Sequence, residues 1–266
     1  MKNDRRNFIK NMGIMATTGI LVPNAVLGNT LEKESQNTKD KIRPKVLFFD
    51  VNETLLDLTD MKKKVSDALG GREDLLSLWF TTMLQYSLVT TASGQYEHFG
   101  YIGAAALQMV AANNGLSITE ADARNTIVNA LRGLPAHPEV KTALAHLKKD
   151  GYKLVSFTNS SNEGVKKQFE SAGLTEYFDE RLSVEDVGKF KPFSDTYAWG
   201  ARKMGVKPDE CMLIAAHGWD VAGALWAGWR AAFINRPGQQ AFPLAPKTEI
   251  VASNLKKVAD ILVSYK

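Results

Sequence analysis

Pro44 to Asp57 reads PKVLFFDVNETLLD, and this stretch decides the fold. Val46 to Phe49 is an apolar run with no polar alternation, the pattern of a strand buried on both faces of a parallel sheet. Asp50 follows at once. It therefore stands at the carboxyl end of the strand, where open α/β sheets place their ligands. Val51 to Thr54 forms the turn out of the strand, with backbone N–H groups free to meet an anion. An aspartate held there can attack an electrophilic carbon or phosphorus. It can equally be an acidic cap of the next turn, and the strand alone does not choose between the two.

Working outward, Met61 to Arg132 contains no strand pattern. Leu75, Leu76, Trp79, Met83, Leu84 and Leu88 recur at helical spacing, as do Ile102, Ala105, Leu107, Met109 and Val110. Ser117 and Thr119 ahead of acidic residues mark a helix start near Glu120. The spacing predicts a helical cap over residues 61–133, inserted into a core made of residues 44–60 and 134–266. After Pro135 and Pro138 the chain alternates. Helices are expected at Pro138–Lys149, Glu163–Ala172, Ser194–Met204, Asp220–Ala227 and Leu255–Val263. Strands are expected at Lys153–Phe157, Arg181–Val184, Met212–Ala215 and Ala231–Ile234. Such alternation predicts an α/β fold with a Rossmann-like parallel sheet covered on both faces.

Composition narrows the function classes. The 44% apolar and 23% charged content is that of an ordinary globular domain. A single cysteine, Cys211, excludes an internal disulfide and a multi-cysteine metal site, and its apolar surroundings make it a core thiol. The formal charge is +4, of which the first 28 residues carry +3 through Lys2, Arg5, Arg6 and Lys10 against Asp4, leaving +1 for the remainder. The basic balance is thus a property of the leader and gives no argument for nucleic acid, which calls for basic clusters on the folded domain.

That leader, DRRNFIK from Asp4 to Lys10 followed by a mildly apolar stretch to Val22, resembles a twin-arginine export signal. An ordinary amphipathic helix is the alternative. The apolar stretch falls short of the roughly 20 residues a membrane-spanning helix needs. The resemblance implies a signal peptide over residues 1–28, a polar linker over 29–43, export of the folded protein to a periplasm, and no stable membrane association after cleavage.

Four strand ends carry polar residues: Asp50 with Thr54, Thr158 with Asn159, Lys191, and His217 with Asp220. A Rossmann-like sheet gathers such residues at its carboxyl edge. Each has a plainer reading. Thr158 and Asn159 could form a strand-end turn, Lys191 could be a surface lysine before Pro192, Asp220 a helix N-cap, His217 a solvated loop histidine, and Trp219 and Phe99 core aromatics.

Taken together, FFDVNETLLD, LVSFTNSS, VGKFKPFSDTY and AAHGWDVAGALWAGW resemble the haloacid dehalogenase superfamily, and within it the type II 2-haloacid dehalogenases. The resemblance runs from Pro44 to the C-terminus. It implies hydrolysis of short 2-halocarboxylates: Asp50 attacks C2 and displaces halide, and water then hydrolyses the aspartyl ester. By their places in the motifs, Thr54 orients Asp50. Thr158 and Asn159 supply donors for the substrate carboxylate or halide, and Lys191 keeps Asp50 ionised. Tyr197 and Asp220 stand behind Lys191 and beside the hydrolytic water. Trp219, Leu84 and Phe99 line an apolar pocket around the carbon attacked. No cofactor and no metal is implied, and the family is compatible with a homodimer.

Phosphatases of the superfamily carry a second aspartate two residues after the nucleophile. Here Asn52 stands there, and an amide cannot serve as a general acid. Mg²⁺ held by Asp50 and Asp220 alone would be bound weakly. Two departures touch the dehalogenase reading itself. Phe80 follows Trp79 where the type II enzymes have an arginine that receives the halide, and Asn52 replaces an aromatic residue. Asn52 brings an N–H donor that could partly replace the arginine. His217, with Ala215, is a further variation on the motif. The rival readings are a phosphatase of the same superfamily and a non-catalytic binding protein that kept the fold.

Overall fold

The computed structural model describes residues 42–266. The signal peptide and nearly all of the linker expected from the sequence lie outside the described residues.

The parallel α/β sheet expected from the alternation is present. β1 (Val46–Phe49) is buried along its whole length. It pairs in parallel with β2 (Lys153–Thr158) on one side and β4 (Cys211–Ala215) on the other. With β3 (Glu180–Ser183), β5 (Arg230–Ile234) and β6 (Ile250–Ala252), the six strands run in the order β3-β2-β1-β4-β5-β6. Leu47 and Phe49 pack into one apolar cluster, Val46 and Phe48 into another on the opposite face. Two covered faces are the reason for the unbroken apolar run.

The chain leaves β1 toward β2 and β3, then crosses back to build β4, β5 and β6 on the other side. The strand order therefore reverses at β1 and β4, where such sheets open a ligand crevice at their carboxyl ends. Asp50 ends β1, and Ala216 and His217 follow β4.

Between β1 and α5 (Val140–Lys149) lie α1 (Thr59–Ala68), α2 (Leu76–Ala92), α3 (Phe99–Asn113) and α4 (Glu120–Arg132). Thr119 caps α4, its side chain accepting the Asp122 N–H. The Trp79 indole N–H donates 2.9 Å to the Gly103 carbonyl, which ties α2 to α3. The remaining helices are α6 (Asn162–Ala172), α7 (Ser194–Lys203), α8 (Gly218–Trp226) and α9 (Leu255–Leu262). No described helix is long and apolar enough to cross a membrane.

Two local expectations need correction. α8 begins at Gly218 with His217 as its N-cap, so Asp220 lies inside the first turn and is not the cap. At this helix start the loop at Gln240 comes so close that only glycine fits: a Cβ on Gly218 would collide with the Gln240 carbonyl. Gly223 in the same helix leaves room for Pro192 and Tyr197. β6 is absent from the sequence reading, since three residues carry no measurable alternation.

Candidate active site

Asp50 continues the ladder of β1, its N–H donating 3.1 Å to the Ile214 carbonyl. The chain then turns tightly. Leu55 and Leu56 N–H both donate to the Val51 carbonyl, and Glu53 adopts a positive φ of 61°. This turn brings the Thr54 hydroxyl back to donate 2.7 Å to Asp50 Oδ2, while Thr54 Oγ1 accepts the Ala216 N–H at 2.9 Å. One hydroxyl thus locks the end of β1 to the end of β4.

Lys191 is fully buried. Its ammonium donates to Asp50 Oδ1 at 3.0 Å, to the Phe157 carbonyl at 2.9 Å and to Asp220 Oδ2 at 2.5 Å. All three of its donors are therefore spent. Tyr197 donates 2.7 Å to the other Asp220 oxygen. Burial works against the charge of Asp50, yet the charge of Lys191 and the hydrogen bonds of His217 and Thr54 hold its carboxyl well below the usual range. Burial also opposes the charge on Lys191, and Asp220 and Asp50 outweigh it, so the ammonium persists above its ordinary range. Burial pushes the Tyr197 phenol well above 10, leaving it a neutral donor.

His217 is buried, with Nδ1 3.2 Å from Asp50 Oδ2 and Nε2 3.2 Å from Glu53 Oε2. Burial disfavours its charge, but the hydrogen bonds and charges of the two carboxylates prevail and push it up to about 9. Glu53 moves the other way, to about 2: burial opposes its charge, and His217 and Lys62 overcome it.

A cavity of about 480 Å³ opens above these groups, between the sheet edge and α1 to α4. Of the residues singled out from the sequence, Asp50, Asn52, Phe80, Phe99, Asn159, His217 and Trp219 line it. The Asn159 side-chain oxygen Oδ1 accepts the Lys191 backbone N–H at 3.1 Å, whereas its buried side-chain nitrogen Nδ2 has no partner among the described residues. Asn52 is held by both ends, accepting from Gln168 at 2.8 Å and donating to Ser160 at 3.3 Å.

Other expectations are corrected. Leu84 is not among the lining residues; Leu76, Trp79, Phe80 and Met83 form the inward stripe of α2, and Leu84 is the next residue round the helix. Tyr197 and Thr158 do not reach the cavity. Tyr197 lies beneath Asp220, and Thr158 Oγ1 turns back to accept the Ser160 N–H at 3.0 Å, which is the plain strand-end role. The plainer readings of Lys191 and His217 also fail, because neither is at the surface.

Glu53, Lys62, Arg236 and Gln239 were not anticipated. Lys62 of α1 pairs with Glu53 at 2.9 Å, and Gln239 donates to the same carboxylate at 2.9 Å. Arg236 donates to the carbonyls of Glu53 and Thr54 and pairs with Glu139. Arg236 lies just beyond the end of β5, so it carries the same signal in the sequence, a polar residue after an apolar strand. Glu53 gives no such signal. Among the described residues, no group of three or more His, Cys, Asp or Glu side chains is arranged to hold a metal ion.

The family model of the haloacid dehalogenase-like hydrolases matches residues 44–228. A curated relative, (S)-2-haloacid dehalogenase 1 of Pseudomonas sp. (strain CBS-3), is 31% identical over 207 residues, covering 77% of this chain and 91% of its own. Among solved structures, L-2-haloacid dehalogenase from Xanthobacter autotrophicus superposes with a TM-score of 0.76 at 25% identity, covering 82% of this chain and 98% of that one. A structure of the Xanthobacter enzyme with chloropropionic acid covalently bound has the same fold, at TM-score 0.76, 24% identity and the same coverage.

Proposed function

Because the chain belongs to the haloacid dehalogenase-like hydrolases, we propose that it hydrolyses short 2-haloalkanoic acids to 2-hydroxy acids through an ester of Asp50. The observation that carries this reading is the state of Asp50. It is an ionised, nearly desolvated carboxylate at the floor of an apolar cavity, with Oδ1 accepting a single hydrogen bond. Such an oxygen keeps a lone pair free for in-line attack on C2. The C2–halogen electron pair leaves with the halide, and water then cleaves the ester at Cγ, so two easier steps replace one difficult displacement.

In this reading Asp50 is the nucleophile, Thr54 orients it, and Lys191, backed by Asp220 and Tyr197, keeps it ionised. Phe80, Phe99 and Trp219 shape the space around C2. The unpartnered amide of Asn159 is the donor best placed for an anion, either the carboxylate or the departing halide. Among the described residues no arginine lines the cavity; the cationic side chains there are Lys62 and His217. The phosphatase reading lacks its general acid, since Asn52 stands in that position and is tied to Gln168 and Ser160.

Incubating the protein with 2-chloropropionate and bromoacetate without added metal, and following halide, tests the reading. Release by the wild type and none by Asp50→Asn is expected; no release from either substrate by the wild type overturns it. Export to a periplasm through residues 1–28 is part of the proposal and rests on the paired Arg5 and Arg6; cell fractionation checks it. A homodimer is the assembly the family suggests.

A further inference from the structure

His217 joins the two carboxylates that face the cavity. Its ring is stacked between Phe80 (centroids 5.8 Å apart, planes at 20°) and Trp219 (5.3 Å, 21°), so its plane is held. Its two nitrogens each lie 3.2 Å from a carboxylate oxygen, Asp50 Oδ2 at one edge and Glu53 Oε2 at the other. A neutral imidazole has one N–H and one lone pair. Either neutral tautomer would point a lone pair at a carboxylate, and only the imidazolium satisfies both edges. Glu53 is itself fixed. Lys62 and Gln239 hold its carboxylate, and His137 and Arg236 hold its carbonyl.

The two oxygens of Asp50 differ. Among the described residues Oδ1 accepts only from Lys191, whereas Oδ2 accepts from Thr54 and faces His217. If Oδ1 attacks, Oδ2 becomes the carbonyl oxygen of the ester, with a hydroxyl and a charged N–H already upon it. We propose that His217, kept protonated by Glu53, forms with Thr54 an oxyanion hole for hydrolysis of the Asp50 ester. The inference rests on the ester reading above and assigns His217 to its second half.

Water adds to Cγ, and the carbonyl electron pair moves onto Oδ2, where the two donors meet the developing charge. The pair returns, the bond from Cγ to the alkylated oxygen breaks, and the departing 2-hydroxy acid takes one proton of the water. The other proton goes to solvent as Asp50 regains its carboxylate. His217 keeps its own proton throughout. The first half gains nothing from these donors, because a cation on Oδ2 lowers the nucleophilicity of the carboxylate, so their benefit falls on the second half.

The groups around His217 are Asp50 and Glu53 in contact, Lys62 and Arg236 behind Glu53, and Lys191 and Asp220 behind Asp50. Loss of the Asp50 charge in the ester leaves Glu53 as the carboxylate that sustains the imidazolium. Glu53 is thus a positioning residue with a pH signature.

Rapid-quench halide assays and intact-protein mass spectrometry with 2-chloropropionate test the proposal. His217→Gln is expected to release a burst of one halide per active site and then turn over about 10²- to 10³-fold more slowly, while carrying a 1-carboxyethyl group on Asp50. Glu53→Gln is expected to keep the burst and move the alkaline limb of kcat down by about 1 pH unit. Loss of the burst in His217→Gln, turnover equal to wild type, or absence of the trapped ester overturns the proposal, as does an unmoved alkaline limb in Glu53→Gln. Should His217→Gln fail to fold, the Glu53→Gln profile decides alone. A wild type that releases no halide defeats the dehalogenase reading itself; wild-type turnover with no ester trapped in the variant defeats only the oxyanion hole.

Discussion

The two sides of Asp50 are built differently. On one side Lys191 is sealed from solvent, its three donors matched to three acceptors and its second carboxylate closed off by Tyr197. On the other side His217 and Glu53 face the cavity and share its wall with the aromatic rings. The sealed side sets the state of the nucleophile before any substrate arrives. It has no spare donor with which to follow the reaction. The open side changes as the reaction proceeds, because one of the two carboxylates that hold the imidazolium is consumed when the ester forms. A satisfied buried network gives constancy, and a network at a cavity wall gives response.

Breaking the sealed side has the largest expected effect. Lys191→Met leaves Asp220 buried without a cation and Asp50 with His217 alone, and removing one partner of a buried ion pair typically costs about 3–5 kcal/mol. Halide release is expected to vanish as Asp50 takes up a proton, and the melting temperature to fall by many degrees. Adding Asp220→Asn to Lys191→Met removes one of the orphaned charges. Calorimetry of the double variant is expected to show part of the stability regained with no turnover. A single variant as stable as the wild type would show that Lys191 does not hold the two carboxylates.

The open side is read through pH. His217 is raised in the folded protein from its ordinary 6.5 to about 9. The stabilisation it contributes is complete below pH 6.5 and is lost as pH rises through about 9, at most about 3 kcal/mol in all. Lys191 and Tyr197 ordinarily titrate above this window and are raised further, and His137 is lowered from 6.5; Cys211, raised by burial from 9.0 to about 12, adds its own fall only at the top of the window, above about pH 8.5. Urea unfolding between pH 6.5 and 9.5 is expected to show a falling midpoint in the wild type and a fall that begins at lower pH in Glu53→Gln. Midpoints flat across the window would show that His217 is not an imidazolium bridging two carboxylates.

Legibility in the sequence follows the same division. β1 could be read from Val46–Phe49 because a strand covered on both faces must be apolar at every position. Asp50 could be found as the polar residue that follows β1, Lys191 and Asp220 in the segments that follow β3 and β4, and Thr54 from its place in the turn. Helical spacing marks the apolar stripe of α2 without giving its rotation to within one residue, so it points to Leu84 where Met83 takes the inward position. Thr158 and Tyr197 carry the right chemistry, but their hydroxyls turn toward Ser160 and Asp220. Glu53 was invisible for another reason. Its value lies in a partner 164 positions away, which a local pattern does not encode, and in a positive φ that only the folded turn reveals.

The smallest expected effect concerns Asn52, which belongs to neither side. It bridges the β1 turn to Gln168 and Ser160, and one of its two amide hydrogens is spent on a 3.3 Å contact. One hydrogen remains for an anion, in a cavity with no arginine among its described lining residues. Asn52→Ala is therefore expected to slow halide release by about fivefold, the worth of one neutral hydrogen bond of about 1 kcal/mol. Asn159 has its whole amide nitrogen unpartnered, and Asn159→Ala should be slowed far more. Comparison of the two variants in the halide burst decides how the leaving anion is met without a guanidinium. Unchanged release in Asn52→Ala would reduce Asn52 to a strut between the turn and α6, and a loss matching that of Asn159→Ala would make the two amides equal partners.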